Sequence, residues 1–461
     1  MTIWIPDLAT RSGPRYRAIA EAIADAVSQG DLAPGDKLPP QRELAWRLEV
    51  TVGTISRGYM LAEQRGLVSG EIGRGTFVKA ANSGGAAPLL PPPSNGVLDL
   101  SINMSVARAN AEALSRTLAA LAVQPDIESF LRYMPAPGHP EHRAAAARWM
   151  ARVGLEVAPE RIVLSHGAQQ ALATCLDILA APGETVLTEA LSFPLLIDPS
   201  GARNIQLSGV ALDEEGMLPE ALDEAAAKTG AKLVVMVPTV QNPTASVMGE
   251  DRRRAIADVA RRHELTIVED DVYGYLLPGR PPPVAAFAPE RTVYLTSASK
   301  CLAPGLRVGW LAAPERLVDR FAEAIYGGSV AQPALTHEVI RRWIEDGTAD
   351  ALAVQLSDEV AVRQKMATEL LAGLTLRGSP SSLHVMVELP RPWRRDEFVG
   401  AALGRGIRIA SLSAFALDPE TAPEAVRLTL AATPDRATLA RALTSLRELA
   451  EAGPRAGRGV I

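Results

Sequence analysis

The stretch TSASKCLAPGLRVGW, residues 296–310, places a lysine among residues whose types suit chemistry. Lys300 follows two serines, of which Ser297 is the first, and Arg307 stands seven residues beyond it in a segment broken by a proline and a glycine. An enclosed lysine loses its proton readily and becomes a nucleophile, and an arginine offers a planar fork of donors to an anion. A lone lysine without this company is an ordinary surface charge.

Further polar residues follow short apolar runs in the C-terminal part of the chain. HGAQ comes after IVLS, TVQNPT after VVMVP, and EDDVY after TIV. The small residues of the first turn can leave backbone N–H groups free at a helix start to hold a phosphate. Gly167, Ala168 and Gln169 are the candidates in that first turn.

The elements that must position these residues are short buried strands that alternate with helices. RIVLSHGAQQALATCLDILA predicts a strand, a turn and a helix, while KLVVMVP and LTIVEDD predict strands with the helix DRRRAIADVARRHE between them. This alternation is typical of an α/β fold with a mostly parallel sheet flanked by helices. Ligands bind such sheets outside the carboxyl ends of the strands, where the polar turns would lie.

The chain of 461 residues is too long for one ordinary core, so two or more domains are expected. Residues 80–96, AANSGGAAPLLPPPSNG, carry no charge and are rich in Ala, Gly and Pro, which predicts a linker. The linker separates a block at 1–79 from a block at 97–461. A hydrophobic content of 47% indicates a folded protein, and the net charge of −6 gives no reason to expect general coating of nucleic acid.

Location and redox state are constrained by what the sequence contains. No apolar run approaches the roughly 18–20 residues that span a bilayer, and the N-terminus lacks the order of a secretory signal, so we expect a cytoplasmic protein without membrane contact. Two cysteines, Cys175 and Cys301, are too few for a disulfide framework. His139 and His142 have no metal-like spacing with other ligands, so no metal site is assigned.

The N-terminal block predicts three helices and a β-hairpin. RYRAIAEAIADAVSQG and PPQRELAWRL have helical spacing of apolar residues, and Thr51 is a plausible N-cap for VGTISRGYMLAEQRG. A strand at Leu67 and Val68, a glycine-rich turn and a second strand, TFV, complete the block. The residues predicted to face inward are Ile19, Ile23, Val27, Leu44, Leu48, Ile55 and Tyr59.

This order of elements, with GDLAPGDKLPPQRELA, TVGTISRGYMLAEQRGLV and GRGTFV, resembles the winged helix-turn-helix domain of the GntR family. The resemblance implies that the third helix enters the major groove of double-stranded operator DNA and that the wing touches the minor groove. Many family members have arginines where this chain has Val52 and Ser56. The DNA-facing residues that the resemblance implies are Arg42, Thr51, Gly53, Thr54, Ser56, Arg57 and Arg74.

Charge alone does not establish DNA binding. Residues 1–80 contain ten Lys plus Arg against nine Asp plus Glu, a surplus of one positive charge. Phosphate contacts would therefore come from clustering of the arginines or from a dimer that doubles them. The alternative is that Arg42, Arg57 and Arg74 are ordinary solvated charges.

Four signatures in the large block, SHGAQQAL, QNPT, VEDDVYGYL and SASKCLAPGLRVGW, resemble those of the fold type I aminotransferases that use pyridoxal 5′-phosphate (PLP). Joined to the N-terminal block, they resemble the MocR family of transcriptional regulators. The fold implied is a winged helix-turn-helix domain followed by a PLP-dependent transferase domain with a mostly parallel sheet and a small C-terminal α+β subdomain.

The resemblance implies a role for each site residue. Lys300 forms the Schiff base with PLP, Ser297 and Arg307 bind its phosphate with the turn at 167–169, and Asp270 keeps the pyridine nitrogen protonated. Tyr273 and Asn242 reach the 3-oxygen of the ring. The remaining assignments are Phe193 stacked on the ring, Tyr133 at the phosphate of the neighbouring subunit in a homodimer, and Arg427, in the strand EAVRLTLA, at the α-carboxylate of an amino compound.

Each assignment has a structural alternative. Asp270 could cap the end of a strand, Gly167 could serve only a tight turn, and Phe193 could belong to the core. Arg427 could form an ordinary ion pair within its strand. Cys301, next to the lysine, is interpreted as a small buried hydrophobe rather than a redox group.

Two functions fit these predictions. The first is a transcriptional regulator whose aminotransferase-like domain senses PLP or an amino compound that reacts with bound PLP. The second is an active aminotransferase that carries a DNA-binding domain, since the cofactor residues are present. The regulator is favoured because a DNA-reading domain has no catalytic purpose. A third interpretation is a degenerate scaffold that binds no cofactor.

Overall fold

The computed structural model describes residues 4–6, 8, 14–29, 31–32, 36–64, 67–71, 75–78, 96–104 and 109–454. The chain divides into two compact units, residues 1–91 and 92–461. Almost all of the predicted linker at 80–96, together with Arg74 of the predicted wing, lies outside the described residues.

The small unit contains the three helices and the hairpin that the sequence predicts. The elements are α1 (Arg15–Gln29), α2 (Gln41–Arg47), α3 (Val52–Gln64), β1 (Val68–Glu71) and β2 (Gly75–Val78). The hairpin strands pair antiparallel, with Val68 opposite Val78. Ile19, Ile23, Leu44, Ile55 and Tyr59 are buried as predicted, whereas Val27 and Leu48 are only half-buried at the edge of this core.

Close packing of α1 against α3 depends on a glycine. A Cβ at Gly58 would lie 2.8 Å from Cγ2 of Ile19 and 3.1 Å from the carbonyl oxygen of Tyr16, so a side chain there would push the helices apart. Thr51 caps α3 as predicted, because the N–H of Thr54 donates to its Oγ1 at 3.2 Å. The start of α3 is therefore fixed locally, and its body is fixed by the core.

The large unit is built from alternating strands and helices. Its helices are α4 (Ala109–Ala122), α5 (Pro140–Ala151), α6 (Ala168–Leu179), α7 (Pro194–Ala202), α8 (Pro219–Thr229), α9 (Glu250–Arg262), α10 (Val284–Phe287), α11 (Glu315–Ser329), α12 (Ala334–Glu345), α13 (Thr348–Leu370), α14 (Arg395–Gly404) and α15 (Arg436–Ala452). Short 3₁₀ helices lie at Ile127–Leu131, Pro159–Arg161, Gly274–Leu276, Pro304–Leu306, Leu412–Phe415 and Pro419–Thr421.

The strands of the large unit form a main sheet and a smaller C-terminal sheet. They are β3 (Leu98–Asp99), β4 (Ile162–Ser165), β5 (Thr185–Glu189), β6 (Gln206–Val210), β7 (Leu212–Asp213), β8 (Gly216–Met217), β9 (Leu233–Met236), β10 (Thr266–Asp270), β11 (Thr292–Ser297), β12 (Gly309–Ala312), β13 (Leu376–Arg377), β14 (His384–Glu388), β15 (Ile407–Arg408), β16 (Ala410–Ser411) and β17 (Ala425–Thr429). The main sheet has the order β4-β12-β11-β10-β9-β5-β6.

The main sheet is mostly parallel, which confirms the prediction. β12 alone among these strands runs antiparallel to its neighbours β11 and β4, while β11, β10, β9, β5 and β6 pair in parallel. Strands β4, β9, β11 and β12 are buried along their whole length. Their continuous apolar runs follow from helices covering both faces of the sheet. The carboxyl ends of the parallel strands consequently share one edge.

The predicted small C-terminal subdomain is an antiparallel sheet, β13-β14-β17-β16, that shares an apolar core with α14 and α15. The segment that begins the large unit joins this subdomain. β3 pairs in parallel with β15, and the N–H of Thr429 in β17 donates to the carbonyl of Leu100 at 2.8 Å. Residues 101–104 are thereby held beside strands that lie more than 300 positions later in the chain.

Candidate functional site

One end of the site is the turn between β4 and α6. Gly167 has φ +82° and caps α6, so the first backbone N–H groups of the helix face outward beside it. Nη2 of Arg307 donates to the carbonyl oxygen of His166 at 3.0 Å, and a Cβ at Gly167 would lie 2.8 Å from that same nitrogen. A guanidinium and a helix N-terminus therefore meet here, as an anion such as a phosphate requires.

Close approach of β12 shapes the same turn. A Cβ at Gly309 would lie 2.5 Å from the Cα of Gly167, so only glycine allows the strand to pass there. Ser297, at the end of β11, is buried, and its Oγ accepts from the N–H of Ser299 at 3.3 Å. The side chain of Gln169 turns away and donates to the carbonyl of Leu195 at 2.8 Å. The backbone N–H of Gln169 still belongs to the N-terminal turn of α6, where an anion would bind.

Lys300 lies three residues beyond the end of β11, and its Nζ donates to the carbonyl oxygen of Asn103 at 2.6 Å. Burial of the amine lowers its pKa to about 8, and the positive charge of Arg427 acts in the same direction. Asp270 opposes the shift and Arg307 adds to it. An amine with this pKa is partly neutral near physiological pH, which is the state that attacks a carbonyl.

Asp270 is the last residue of β10 and is buried. Burial raises its pKa to about 7, and the neighbouring carboxylate of Asp271 raises it further, while the backbone N–H of Val272 and Lys300 oppose the rise. Its Oδ1 has no hydrogen-bond partner among the described residues. A buried carboxylate oxygen without a partner is costly unless a cationic N–H from a bound molecule completes it.

Tyr273 lies at the start of the 3₁₀ helix that follows β10, and its hydroxyl accepts a hydrogen bond from Nδ2 of Asn103 at 2.9 Å. The amine of Lys300 lies 6.0 Å from the centre of the tyrosine ring. Nδ2 of Asn103 also lies 2.9 Å from Nδ1 of His384 in β14. Burial raises the pKa of Tyr273, so the hydroxyl keeps its proton.

Arg427 lies in the middle of β17, as the sequence predicts, and is buried. Its Nη1 donates to Oδ1 of Asn242 at 2.8 Å, its Nη2 to the carbonyl of Ser101, and its guanidinium packs 4.6 Å from the ring centre of Phe415. No carboxylate pairs with it in the described chain, and burial lowers its pKa to about 10. A buried guanidinium without a carboxylate partner is costly, and an anionic ligand bound to it would offset that cost.

Two predicted site residues are not joined to this cluster by a described contact. Phe193 precedes α7 and packs into the main core. Tyr133 is 80% exposed, beyond the short 3₁₀ helix at Ile127–Leu131. Their assigned roles at the ring and at a neighbouring phosphate stay predictions.

Three contributors were not found from the sequence: Asn103, the carbonyl of Ser101, and His384. The stretch DLSINMS shows no motif or periodicity that marks residues 101 and 103, and a histidine in an apolar strand is more often a core residue. Their proximity to Tyr273 depends on the docking of residues 98–100 on the C-terminal subdomain.

In the small unit, the start of α3 presents a small and partly apolar surface. Val52 is 44% exposed, a Cβ at Gly53 would make only an ordinary contact with Oγ1 of Thr51 at 3.8 Å, and the hydroxyls of Thr51 and Thr54 lie 2.9 Å apart. Ser56 is half-buried. No guanidinium extends from the first turn of this helix, as the departures at Val52 and Ser56 imply.

The predicted DNA-facing arginines differ in their surroundings. The guanidinium of Arg57 packs 5.3 Å from the ring centre of Tyr16 on α1. Arg42, on α2, is exposed and has no ion-pair partner among the described residues, whereas Arg47 on the same helix pairs with Glu43 at 2.9 Å. Arg42 is thus the cation on α2 that is available to a phosphate.

The architecture of the large unit is that of known PLP enzymes. It resembles a kynurenine aminotransferase from Pyrococcus horikoshii, solved with PMP, with a TM-score of 0.71 and 23% identity over 77% of this chain and 91% of that one. Likeness at this level of identity establishes the fold. The arrangement of strands, helices and subdomain is therefore the fold type I arrangement.

Comparison with protein families assigns a family to each of the two units. Residues 95–446 match aminotransferase class I and II, and residues 15–78 match the bacterial regulatory proteins of the gntR family. Relatives along nearly the full length include the uncharacterized HTH-type transcriptional regulator YdeF of Bacillus subtilis, 28% identical over 97% of this chain and 96% of the relative. The probable rhizopine catabolism regulatory protein MocR of Rhizobium meliloti is 25% identical over 87% of each chain.

The chain belongs to the aminotransferase class I and II family and carries a gntR-type DNA-binding domain, which is the architecture of the MocR regulators. The cofactor of this family is PLP. The residues present fit it: an unpartnered oxygen of Asp270 for the pyridine N–H, a turn at Gly167 open to a phosphate, and the amine of Lys300. These observations disfavour the degenerate scaffold.

The described ranges of the chain contain neither a membrane-spanning helix nor a cluster of metal ligands. No helix found there combines the length and the apolar content needed to cross a membrane. Within those ranges, no group of three or more His, Cys, Asp or Glu side chains is arranged to hold a metal ion. Cys175 and Cys301 are both buried and unpaired thiols.

Proposed function

We propose that this protein is a PLP-dependent transcriptional regulator that binds operator DNA through residues 15–78 and responds to an amino compound at the site around Lys300. The observation that carries the proposal is the combination, in one chain, of a gntR-type domain with a buried site that retains Lys300, Asp270 and Arg427. We further propose that it acts in the cytoplasm, where operator DNA is accessible.

Each residue of the site has a separate role in binding an amino compound. Bound PLP supplies an aldehyde that captures amines and a ring that withdraws electrons. Asp270 holds a proton on the ring nitrogen, and Arg427, with Nε unpartnered in the described structure, binds the carboxylate of the compound. Lys300 is the residue that would hold the aldehyde carbon of PLP, so an incoming amine would compete with its side chain for that position. The signal to the DNA-binding unit is a shift between conformations that differ in affinity for this compound.

A second candidate function is amino-acid transamination. The pKa of about 8 for Lys300 favours it, because an amine that exchanges protons near neutrality can act as a general base. A sensor needs only the first step of this chemistry, whereas an enzyme must release a keto acid repeatedly. The two functions therefore differ in product, and the residues of the site are shared.

We propose that the regulator is a homodimer whose subunits complete one another's sites. The segment that leads to Tyr133 carries exposed apolar side chains: Val123 (82% exposed), Ile127 (46%) and Leu131 (89%). Several exposed apolar side chains within one short segment support a protein interface there. In a dimer, Tyr133 would reach the phosphate of the partner. Sedimentation velocity of wild type and of Leu131→Asp tests this, and a monomeric wild type would contradict it.

The experiment that tests the main proposal is an absorbance titration of PLP-loaded protein with amino acids and related amines. It is coupled to an assay for keto acid and to a DNA-affinity measurement by fluorescence anisotropy, using fragments of the regulator's own upstream region. A spectral change with altered DNA affinity and no sustained product supports the regulator. Sustained keto acid formation without any effect on DNA affinity supports the enzyme and overturns the regulator.

A further inference from the structure

Asn103 is the hub of a buried hydrogen-bond network next to the lysine. Its carbonyl oxygen accepts from Nζ of Lys300 at 2.6 Å, and its side-chain Nδ2 lies 2.9 Å both from the hydroxyl of Tyr273 and from Nδ1 of His384. Asn103 is 7% exposed and His384 is fully buried. The contacts of the side-chain amide are made by its nitrogen, and its Oδ1 has no partner among the described residues. The arrangement of the network therefore depends on which way this amide faces.

The other ring nitrogen of His384 decides the direction of these bonds. Nε2 lies 3.1 Å from the carbonyl oxygen of Gln241, which can only accept. Nε2 therefore carries the hydrogen and Nδ1 is an acceptor, because burial lowers the pKa of His384 to about 3 and keeps the ring neutral. An acceptor at Nδ1 requires the amide nitrogen of Asn103 opposite it. If the amide were reversed, its oxygen would face a ring nitrogen without a hydrogen.

With the amide fixed in this direction, its second N–H donates to the hydroxyl oxygen of Tyr273. An NH₂ group cannot accept, so the proton of Tyr273 has to point elsewhere. Among the described residues, the hydroxyl of Tyr273 accepts this bond and donates none. The proton of Tyr273 is therefore left for a bound ligand, and the 3-oxygen of the pyridoxal ring is the acceptor that the resemblance assigns to Tyr273.

We propose that Asn103 and His384 are positioning residues that reserve the proton of Tyr273 for the 3-oxygen of the pyridoxal ring. The carbonyl of Gln241 sets the tautomer of His384, His384 sets the amide of Asn103, and Asn103 sets the hydroxyl. The inference rests on the assignment of Tyr273 to the cofactor within the proposed function. Donation to the 3-oxygen stabilises its ionised form, so the network lowers the pH midpoint of the colour change of the bound cofactor.

The first test compares two nearly isosteric substitutions of His384 in PLP-loaded protein. His384→Asn keeps an acceptor at the δ position, whereas His384→Leu has none and leaves the amide of Asn103 free to reverse. The pH midpoint is measured by absorbance titration. We expect a wild-type value for His384→Asn and a rise of about half a pH unit for His384→Leu, on the order expected for weakening one hydrogen bond. Equal midpoints in both variants overturn the role of His384.

Asn103→Leu removes the N–H that donates to the hydroxyl of Tyr273 and makes that hydroxyl a stronger donor. Leucine leaves no competing acceptor, but donation to the 3-oxygen should weaken and the midpoint should rise by about half to one pH unit. The double variant Asn103→Leu/His384→Leu should match Asn103→Leu alone, because His384 acts only through the amide. Additive shifts would show that the two residues act independently and would contradict the relay. A purely structural role for either residue predicts lower PLP affinity with an unchanged midpoint.

Tyr273→Phe separates failure of the relay from failure of the site assignment. If Tyr273 donates to the 3-oxygen, this variant has the largest rise in midpoint of the series. No rise in Tyr273→Phe would remove the assignment on which the relay rests. A rise there with wild-type midpoints in both Asn103→Leu and His384→Leu would leave the site assignment standing and overturn the relay alone.

A measurement on unsubstituted protein covers the case in which the variants do not fold. In protein labelled with ¹⁵N-histidine, the signal of His384 should show hydrogen on Nε2 and none on Nδ1, and it should stay neutral down to about pH 5. The signal is assigned by its loss in His384→Asn or, if that variant is unstable, by contacts to labelled Asn. Hydrogen on Nδ1 would reverse the amide of Asn103 and overturn the proposal.

Discussion

In the large unit, the polar side chains of the candidate site are largely buried, and Lys300, Tyr273 and Arg427 form hydrogen bonds within the protein, whereas Thr51 and Val52 at the start of α3 in the small unit face solvent. Asp270 and Arg427 are 7% and 5% exposed, while Val52 is 44% exposed. The carbonyl of Asn103 and the amide of Asn242 already hold Lys300 and Arg427 in place. On α3, Thr51 and Thr54 contact only each other among the predicted DNA-facing residues.

The difference follows from the size and nature of the two ligands. A small cofactor is enclosed, so its binding groups must be desolvated and aimed before it arrives, at a cost that shows as shifted pKa values and unpartnered atoms. Duplex DNA remains solvated and is held largely by exposed cations that neutralise phosphates. The four predictions that follow separate the two regions, in order of decreasing effect.

Lys300→Ala should abolish covalent attachment of PLP and leave DNA binding in place. Borohydride reduction should attach the chromophore covalently to the wild-type chain, and it should attach no chromophore to the variant. DNA affinity without effector should stay within about twofold, as distant independent sites predict, and the effector response should disappear. An unchanged effector response in Lys300→Ala would contradict the sensing proposal, and loss of DNA binding would show that the two units depend on one another.

Two glycine substitutions should damage the two regions separately. Gly309→Ala forces a Cβ to within 2.5 Å of Gly167, so the anion-binding turn must move and PLP affinity should fall about tenfold, with DNA affinity retained. Gly58→Ala forces α1 away from α3, so DNA affinity should fall and PLP affinity should be retained. Spectroscopic titration with PLP and anisotropy with DNA on both proteins measure this. Loss of both PLP binding and DNA binding in either variant would show that the two regions do not act separately.

Asp270→Asn should stabilise the cofactor-free protein at alkaline pH although it weakens PLP binding. Burial raises the pKa of this carboxyl to about 7 in the folded protein, whereas its ordinary value is near 4. Ionisation of the carboxyl therefore destabilises the folded state fully above pH 7, partly between pH 4 and 7, and not at all below pH 4. The variant should gain about 1–2 kcal/mol at pH 8, and the gain should shrink as the pH falls from 7 to 4. Denaturant unfolding of wild type and variant at pH 8 and near pH 4 measures the difference in free energy of unfolding. A difference that does not change with pH would contradict the prediction.

Arg42→Ala should weaken DNA binding two- to threefold and reduce the slope of log affinity against log salt by about 1, because one phosphate contact is lost. The loss should be similar for operator and unrelated sequences. Arg47→Ala is the matched control on the same helix, since its guanidinium is already paired with Glu43. Equal effects of the two substitutions would show that α2 does not face the DNA backbone.

Much of this arrangement is predictable because it is local. The turn at Gly167, the carboxylate at the end of β10 and the cap at Thr51 are each determined by a few neighbouring residues, and the structure has all three. The side-chain direction of Gln169 and the half-burial of Val27 are not, because each depends on what packs against the element. The site roles of Phe193 and Tyr133 also stay predictions, since each needs a ligand or a second subunit.

The sequence by itself determined the two units, the strand–turn–helix order of the large one, and the residue types around Lys300, Asp270 and Arg427. Only the tertiary structure decided that Asn103 meets Tyr273 and His384, from which it is separated by 170 and 281 positions. No local pattern encodes such contacts. They exist because β3 pairs with β15 in the C-terminal subdomain, and the register of that pairing sets where residues 101–104 lie.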